Sequence, residues 1–103
     1  MKYERTESFK RDYRRLSPAE EEEFKRVVLE DFVPAAERHV SEPGGPWPGG
    51  LRVKDVEGAP GVWEMTWSFT DPDGRATFEW VQIDGETGIR WRRVGSHSIF
   101  GDP

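Results

Sequence analysis

Four charged residues in the middle of the chain fall on positions that strand alternation turns to one side. Arg52 and Lys54 come first, then Glu64, then Arg75. Side chains two residues apart in a strand share a face. Glu64 therefore joins Thr66 and Ser68, and Arg75 joins Thr77 and Glu79. A sheet face carrying cations and carboxylates among small hydroxyls suits the floor of a cleft. Its ordinary reading is a set of cross-strand ion pairs. Near the end of the chain stand Arg92, Arg93 and then His97. A lone histidine so placed is most often solvated, although a reference pKa near ~6.5 suits proton transfer at neutral pH. With two histidines and no cysteine no convincing metal set forms, and thiolate catalysis and disulfides are excluded.

The chain has 103 residues and a formal charge of −5. That length suits one domain, residues 1–103, able to fold without staples. Only 34% of residues are hydrophobic, yet 13% are aromatic, so the aromatics must carry much of the burial. The acidic balance argues against a protein that coats nucleic acid unaided. No apolar run approaches the ~18 residues of a membrane span, and the first residues lack the apolar stretch of a signal peptide. A soluble cytoplasmic domain is the expectation.

Two helical segments should come first. Phe9, Tyr13 and Leu16 recur at i, i+4 and i+7, which predicts a helix over residues 7–16. Ser17, Pro18 and Glu20 form a capping-box start for a second helix, with Phe24, Val27, Val28 and Phe32 as its buried face. Pro34 should end or kink it. A Pro/Gly loop follows over residues 43–50, in which Trp47 is the candidate exposed aromatic; His39 reads as a charge partner at the helix C-terminus. The pattern then turns to alternation. Strands are expected at 51–56, 62–70, 75–83 and 89–94, with strong turn signals at Asp71-Pro72-Asp73-Gly74 and Asp84-Gly85-Glu86-Thr87-Gly88. Short connections imply an antiparallel meander, and residues 2–5 are a candidate fifth strand at an edge. Trp63, Met65, Trp67 and Phe69 should face the helices together with Ala76, Phe78 and Trp80. In the last strand neither face is cleanly apolar. A bulge near Trp91–Arg93, or exposure at the sheet's edge, would reconcile this.

The chain ends Arg93-Val94-Gly95-Ser96-His97-Ser98-Ile99-Phe100. Together with the Phe9–Leu16 stretch, Gly61-Val62-Trp63-Glu64-Met65 and Gly74-Arg75-Ala76-Thr77-Phe78-Glu79, this order of pieces resembles the RelE/ParE toxin superfamily of bacterial type II toxin–antitoxin systems. Arg93–His97 is similar to the Arg-x-Gly-Thr-His ending of one RelE branch. The resemblance implies an α+β RelE-like fold, two N-terminal helices packed on a four-stranded antiparallel sheet. It also implies metal-independent, cofactor-free cleavage of mRNA in the ribosomal A site, by attack of a 2′-hydroxyl on the adjacent phosphate. Its implied partners are the ribosome with its mRNA, and a cognate antitoxin protein. Carried over by position, His97 is the candidate general acid, and Arg75 and Arg93 the phosphate clamp. Glu64 stands where several members place a basic residue, and could supply the base. Arg52, Lys54 and Arg92 are candidate RNA contacts, and Phe100 resembles an aromatic on which a base stacks. The same resemblance admits a ParE-like gyrase inhibitor, or a RelE-fold binding module without catalysis.

Overall fold

Thr6 and Ser17 start the two helical segments by supplying acceptors for backbone N–H groups that a first turn leaves unpaired. A computed structural model describes residues 1–69 and 73–103. In it Thr6 Oγ1 accepts from Phe9 N at 3.0 Å and opens α1, Glu7–Arg14. Ser17 Oγ accepts from Glu20 N at 3.2 Å, while Glu20 Oε1 accepts from Ser17 N at 2.8 Å, completing the expected box at the start of α2, Pro18–Val27. Pro34 does not end the second helix. A proline ring would strike the carbonyl four residues back and has no N–H to offer. The chain instead opens into a π turn over Val28–Phe32, in which Val33 N–H reaches Val28 O, and resumes as α3, Val33–Ser41. Pro34 thus sits in the first turn of α3, where its missing donor costs nothing.

The sheet has five strands in the order β1-β5-β4-β3-β2: β1 Tyr3–Arg5, β2 Lys54–Asp55, β3 Trp63–Ser68, β4 Gly74–Ile83 and β5 Glu86–Gly95. The fold is α+β, with helices packed on a mixed sheet. The expected all-antiparallel sheet is corrected at one edge, because β1 pairs with β5 in parallel, Tyr3 opposite Ile89 and Arg5 opposite Trp91. Gly88 permits that approach, since a Cβ there would stand 2.5 Å from the carbonyl oxygen of Lys2. The strand expected at 51–56 shrinks to two residues. Gly49–Leu51 forms a 3-10 turn, and Arg52 takes a left-handed φ of 48° that breaks the extended run. The turn before β5 is tighter than expected: Asp84 and Gly85, both at positive φ, join Ile83 to Glu86 in the hairpin geometry their sequence favours. Of the turn at 71–74 and the end of the strand at 62–70, Thr70, Asp71 and Pro72 lie outside the described residues.

Two bulges set the faces. On β5, Trp91 pairs with Phe78 and Arg93 with Thr77, so Arg92 is extra. Trp91 and Val94 are thereby both buried on the helix side, which accounts for the strand's broken alternation. On β3 the register slips between Thr66 and Ser68. Phe69, expected on the core face, lies 55% exposed, and the Arg52 guanidinium covers its ring at 4.8 Å.

Aromatic rings fill the space between helices and sheet. Phe32, on the π turn, has its ring centroid 5.0 Å from those of both Phe78 and Trp91. Phe24 meets Trp67 and Trp91 edge-on at 5.6 Å. Trp47 is not the exposed contact expected of its loop, since it stacks on Phe32 at 5.7 Å. His39 lies between Trp47 and Trp80, at 5.1 and 5.7 Å, with both rings nearly parallel to its own. Among the described residues no helix is long and apolar enough to cross a membrane.

Candidate functional site

The polar sheet face is built as the alternation predicts, but it is not an open floor. Lys54, Glu64 and Thr77 stand side by side across β2, β3 and β4, with Thr66 beside Arg75 in the next row. Thr77 is wholly buried and Thr66 nearly so. The end of the chain roofs them. After β5 the backbone makes a 3-10 turn, His97–Gly101, and returns across β4 and β5. Thr77 Oγ1 donates to the main-chain oxygen of Pro103 at 3.0 Å, and Arg92 Nε donates to the same oxygen at 3.1 Å.

Every cation expected on this face has a carboxylate or ring partner. Lys54 Nζ lies 3.8 Å from Glu64 Oε1. Arg75 bonds Thr66 Oγ1 and reaches Asp73 at 3.4 Å, while its buried Nε finds no acceptor among the described residues. Arg92 is paired with Glu79. The other oxygen of Glu79 accepts from Arg90 at 2.8 Å, and Arg90 also holds Glu4 at 2.6 Å. The hydrogen bond to Glu4, ahead of the other contributions, raises the Arg90 pKa above its ordinary value.

Arg93 is the most firmly held of these cations. Its Nε and Nη2 donate to the two oxygens of Asp12 at 2.6 and 3.1 Å, and its Nη1 donates to the Asp102 carbonyl at 2.8 Å. This bidentate geometry is the strong form of an ion pair. The hydrogen bond to Asp12 raises the Arg93 pKa, against the opposing effect of burial.

An open cleft of about 500 Å³ lies at the end of the sheet, where the N-terminus of β4 and the C-termini of β3 and β5 meet the junction of α1 and α2. Its lining includes Arg93, Gly95, Ser96 and Ser98 from the end of β5 and the turn after it, Asp12, Arg15, Leu16 and Glu20 from the helices and the link between them, and Trp67, Ser68 and Gly74 from β3 and β4. His97 lies between two of the lining serines and is exposed, with its ring 5.2 Å from that of Phe100 in an edge contact. Arg75 stands directly opposite Gly95 in the β4–β5 ladder.

The predicted residues therefore fall into three places. Arg93 lines the cleft, with His97 and Phe100 on the turn beside it. Glu64 and Arg75 belong to the roofed polar rows. Arg52, Lys54 and Arg92 sit around them, Arg52 on Phe69 and Arg92 on Glu79. Among the described residues no hydrogen bond or ion pair joins His97 to Arg75, Arg93 or Glu64. No group of three His, Asp or Glu among them converges in a way that could hold a metal ion.

Asp12 and Arg15 escaped the sequence reasoning. Asp12 occupies position i+3 of the Phe9, Tyr13, Leu16 stripe, and an acid on an apolar stripe is the signal that could have found it. Arg15 carried no such signal, as one of several cations on a basic helix. Compared with known proteins, the chain matches no family model, no curated protein and no solved structure.

Proposed function

We propose that this chain is a RelE-type toxin, an endoribonuclease that cleaves mRNA on the ribosome without a metal and is restrained by a cognate antitoxin. The observation that carries the reading is the end of β5. One short run brings an arginine fork, a glycine, two serines and an exposed histidine to the rim of a cleft. That is an economical set for phosphodiester cleavage. The 2′-hydroxyl gives its proton to solvent water as its oxygen attacks the adjacent phosphorus. The P–O5′ bond breaks, leaving a cyclic phosphate and a free 5′-hydroxyl. Arginine N–H groups meet the charge that grows on the equatorial oxygens, and His97 supplies the proton to the departing 5′-oxygen. Glu64, buried and beside Lys54, is less accessible as the base than its strand position suggested. An apolar groove of about 530 Å³ between β1, α1 and the α2–π segment, lined by Tyr3, Phe9, Tyr13, Val28 and Leu29, offers a restraining partner a surface away from the cleft.

A second reading has its own support. Arg75, Arg90, Arg92, Arg93 and Lys54 are each compensated by a carboxylate, so this face presents little free positive charge to a phosphate backbone. A ParE-like inhibitor that grips a protein, gyrase, needs no such charge.

The test is a bacterial translation extract to which the purified protein is added, with mRNA 5′ ends mapped. In-frame cleavage that falls about 10²-fold in His97→Ala establishes the nuclease and its acid together. Intact mRNA with undisturbed translation rejects it, and inhibition of gyrase supercoiling would then establish the second reading.

A further inference from the structure

Of the two acids on α1, Glu7 points to solvent and Asp12 is buried. We propose that Asp12 is a positioning residue, holding the Arg93 guanidinium in the cleft wall in the orientation that cleavage uses. Its catalytic consequence rests on the nuclease reading, and the positioning itself on geometry. Beyond Trp91, no strand among the described residues lies on the outer side of β5, because β1 ends at Arg5. An arginine on such a free edge, one residue past a bulge, would swing about several side-chain bonds. Asp12 removes that freedom by taking Nε and Nη2 together, which fixes the guanidinium plane. The carboxylate is anchored in turn, since Asp12 Oδ2 also accepts from Val94 N at 3.2 Å. Helix α1 thus clamps both the side chain of Arg93 and the backbone of the next residue. Nη1 and Nη2 each make one hydrogen bond, which leaves one N–H on each for a ligand in the cleft.

The experiment uses the full chain labelled with ¹⁵N. The Arg93 Nε–H resonance, assigned by its loss in Arg93→Lys, should exchange slowly with water. In Asp12→Asn an amide NH2 replaces the oxygen that takes Nη2, so the fork should open and the Nε–H should exchange several-fold faster, while the Val94 amide stays protected by the oxygen it shares with Nε. In the translation extract the same variant should lose about 10²-fold in kcat with little change in KM, the effect of a misplaced group and not of lost binding. Should Asp12→Asn fail to fold, Arg93→Lys, which keeps the charge without the fork, should show the same kcat loss. Fast Nε–H exchange in the unsubstituted protein overturns the inference. So does an Asp12→Asn protein whose Nε–H exchanges faster yet which cleaves normally. A resonance that behaves as expected in a protein that cleaves nothing leaves the positioning standing and rejects the nuclease reading instead.

Discussion

Replacing Phe32 with alanine should remove the joint between the helical layer and the sheet. The ring is 1% exposed and contacts Trp47, Phe78 and Trp91, which belong to the loop, β4 and β5. Deleting a buried phenylalanine costs about 3–5 kcal/mol through lost transfer energy and the cavity left behind. Three aromatic contacts at ~0.5–1.5 kcal/mol each reach a similar figure by a separate route. A domain this size has on the order of 5–15 kcal/mol to lose. With a urea slope near ~1.3 kcal/mol/M, the unfolding midpoint followed by tryptophan fluorescence should fall by about 2–4 M. Phe69→Ala is the control, because that ring is 55% exposed and meets the Arg52 guanidinium at 4.8 Å; it should cost under ~1 kcal/mol. A Phe32→Ala midpoint within experimental error of the Phe69→Ala midpoint would refute the claim that this aromatic cluster organises the fold.

Gly88→Ala places a methyl 2.5 Å from the Lys2 carbonyl and should cost about 1–3 kcal/mol; hydrogen exchange should show the Ile89 amide, which donates to that carbonyl at 3.2 Å, losing protection first. Ser17→Ala deletes half of the capping box and should lower stability by about 1 kcal/mol in chemical denaturation. Lys54→Ala breaks an ion pair of 3.8 Å whose lysine is 68% exposed, so it should change stability by less than ~0.5 kcal/mol. A larger loss would mean that Glu64 depends on Lys54 for its burial.

Much of this fold was legible because its signals are local. Ser17-Pro18 with Glu20 specifies a helix start by its own hydrogen bonds, and Asp84-Gly85 specifies a hairpin by its own dihedral preferences. The bulge at Arg92 was readable as an interruption in alternation, one of two explanations the pattern allowed. What escaped was non-local. The three residues of β1 carry no sign that their partner lies at Ile89–Trp91 or that it runs in parallel. The polar face showed its composition, but not the returning chain end that buries Thr77. At the site, periodicity placed Glu64 and Arg75 on one face correctly. It could not show that the Arg93 fork would be taken up by an acid eighty-one positions earlier. Asp12 was visible only as an anomaly on an apolar stripe.

The parallel seam between β1 and β5 also governs when the molecule can be completed. Tyr3 pairs with Ile89, which is synthesised eighty-six residues later. Closing so long a loop carries a large entropy cost before any contact rewards it. Until Glu86–Gly95 has emerged, Tyr3–Arg5 lacks the neighbour it bonds to in the sheet, and the Phe9 face of α1 has no Trp91 to cover it. The helices can form during synthesis, but the seam can close only once β5 has been made.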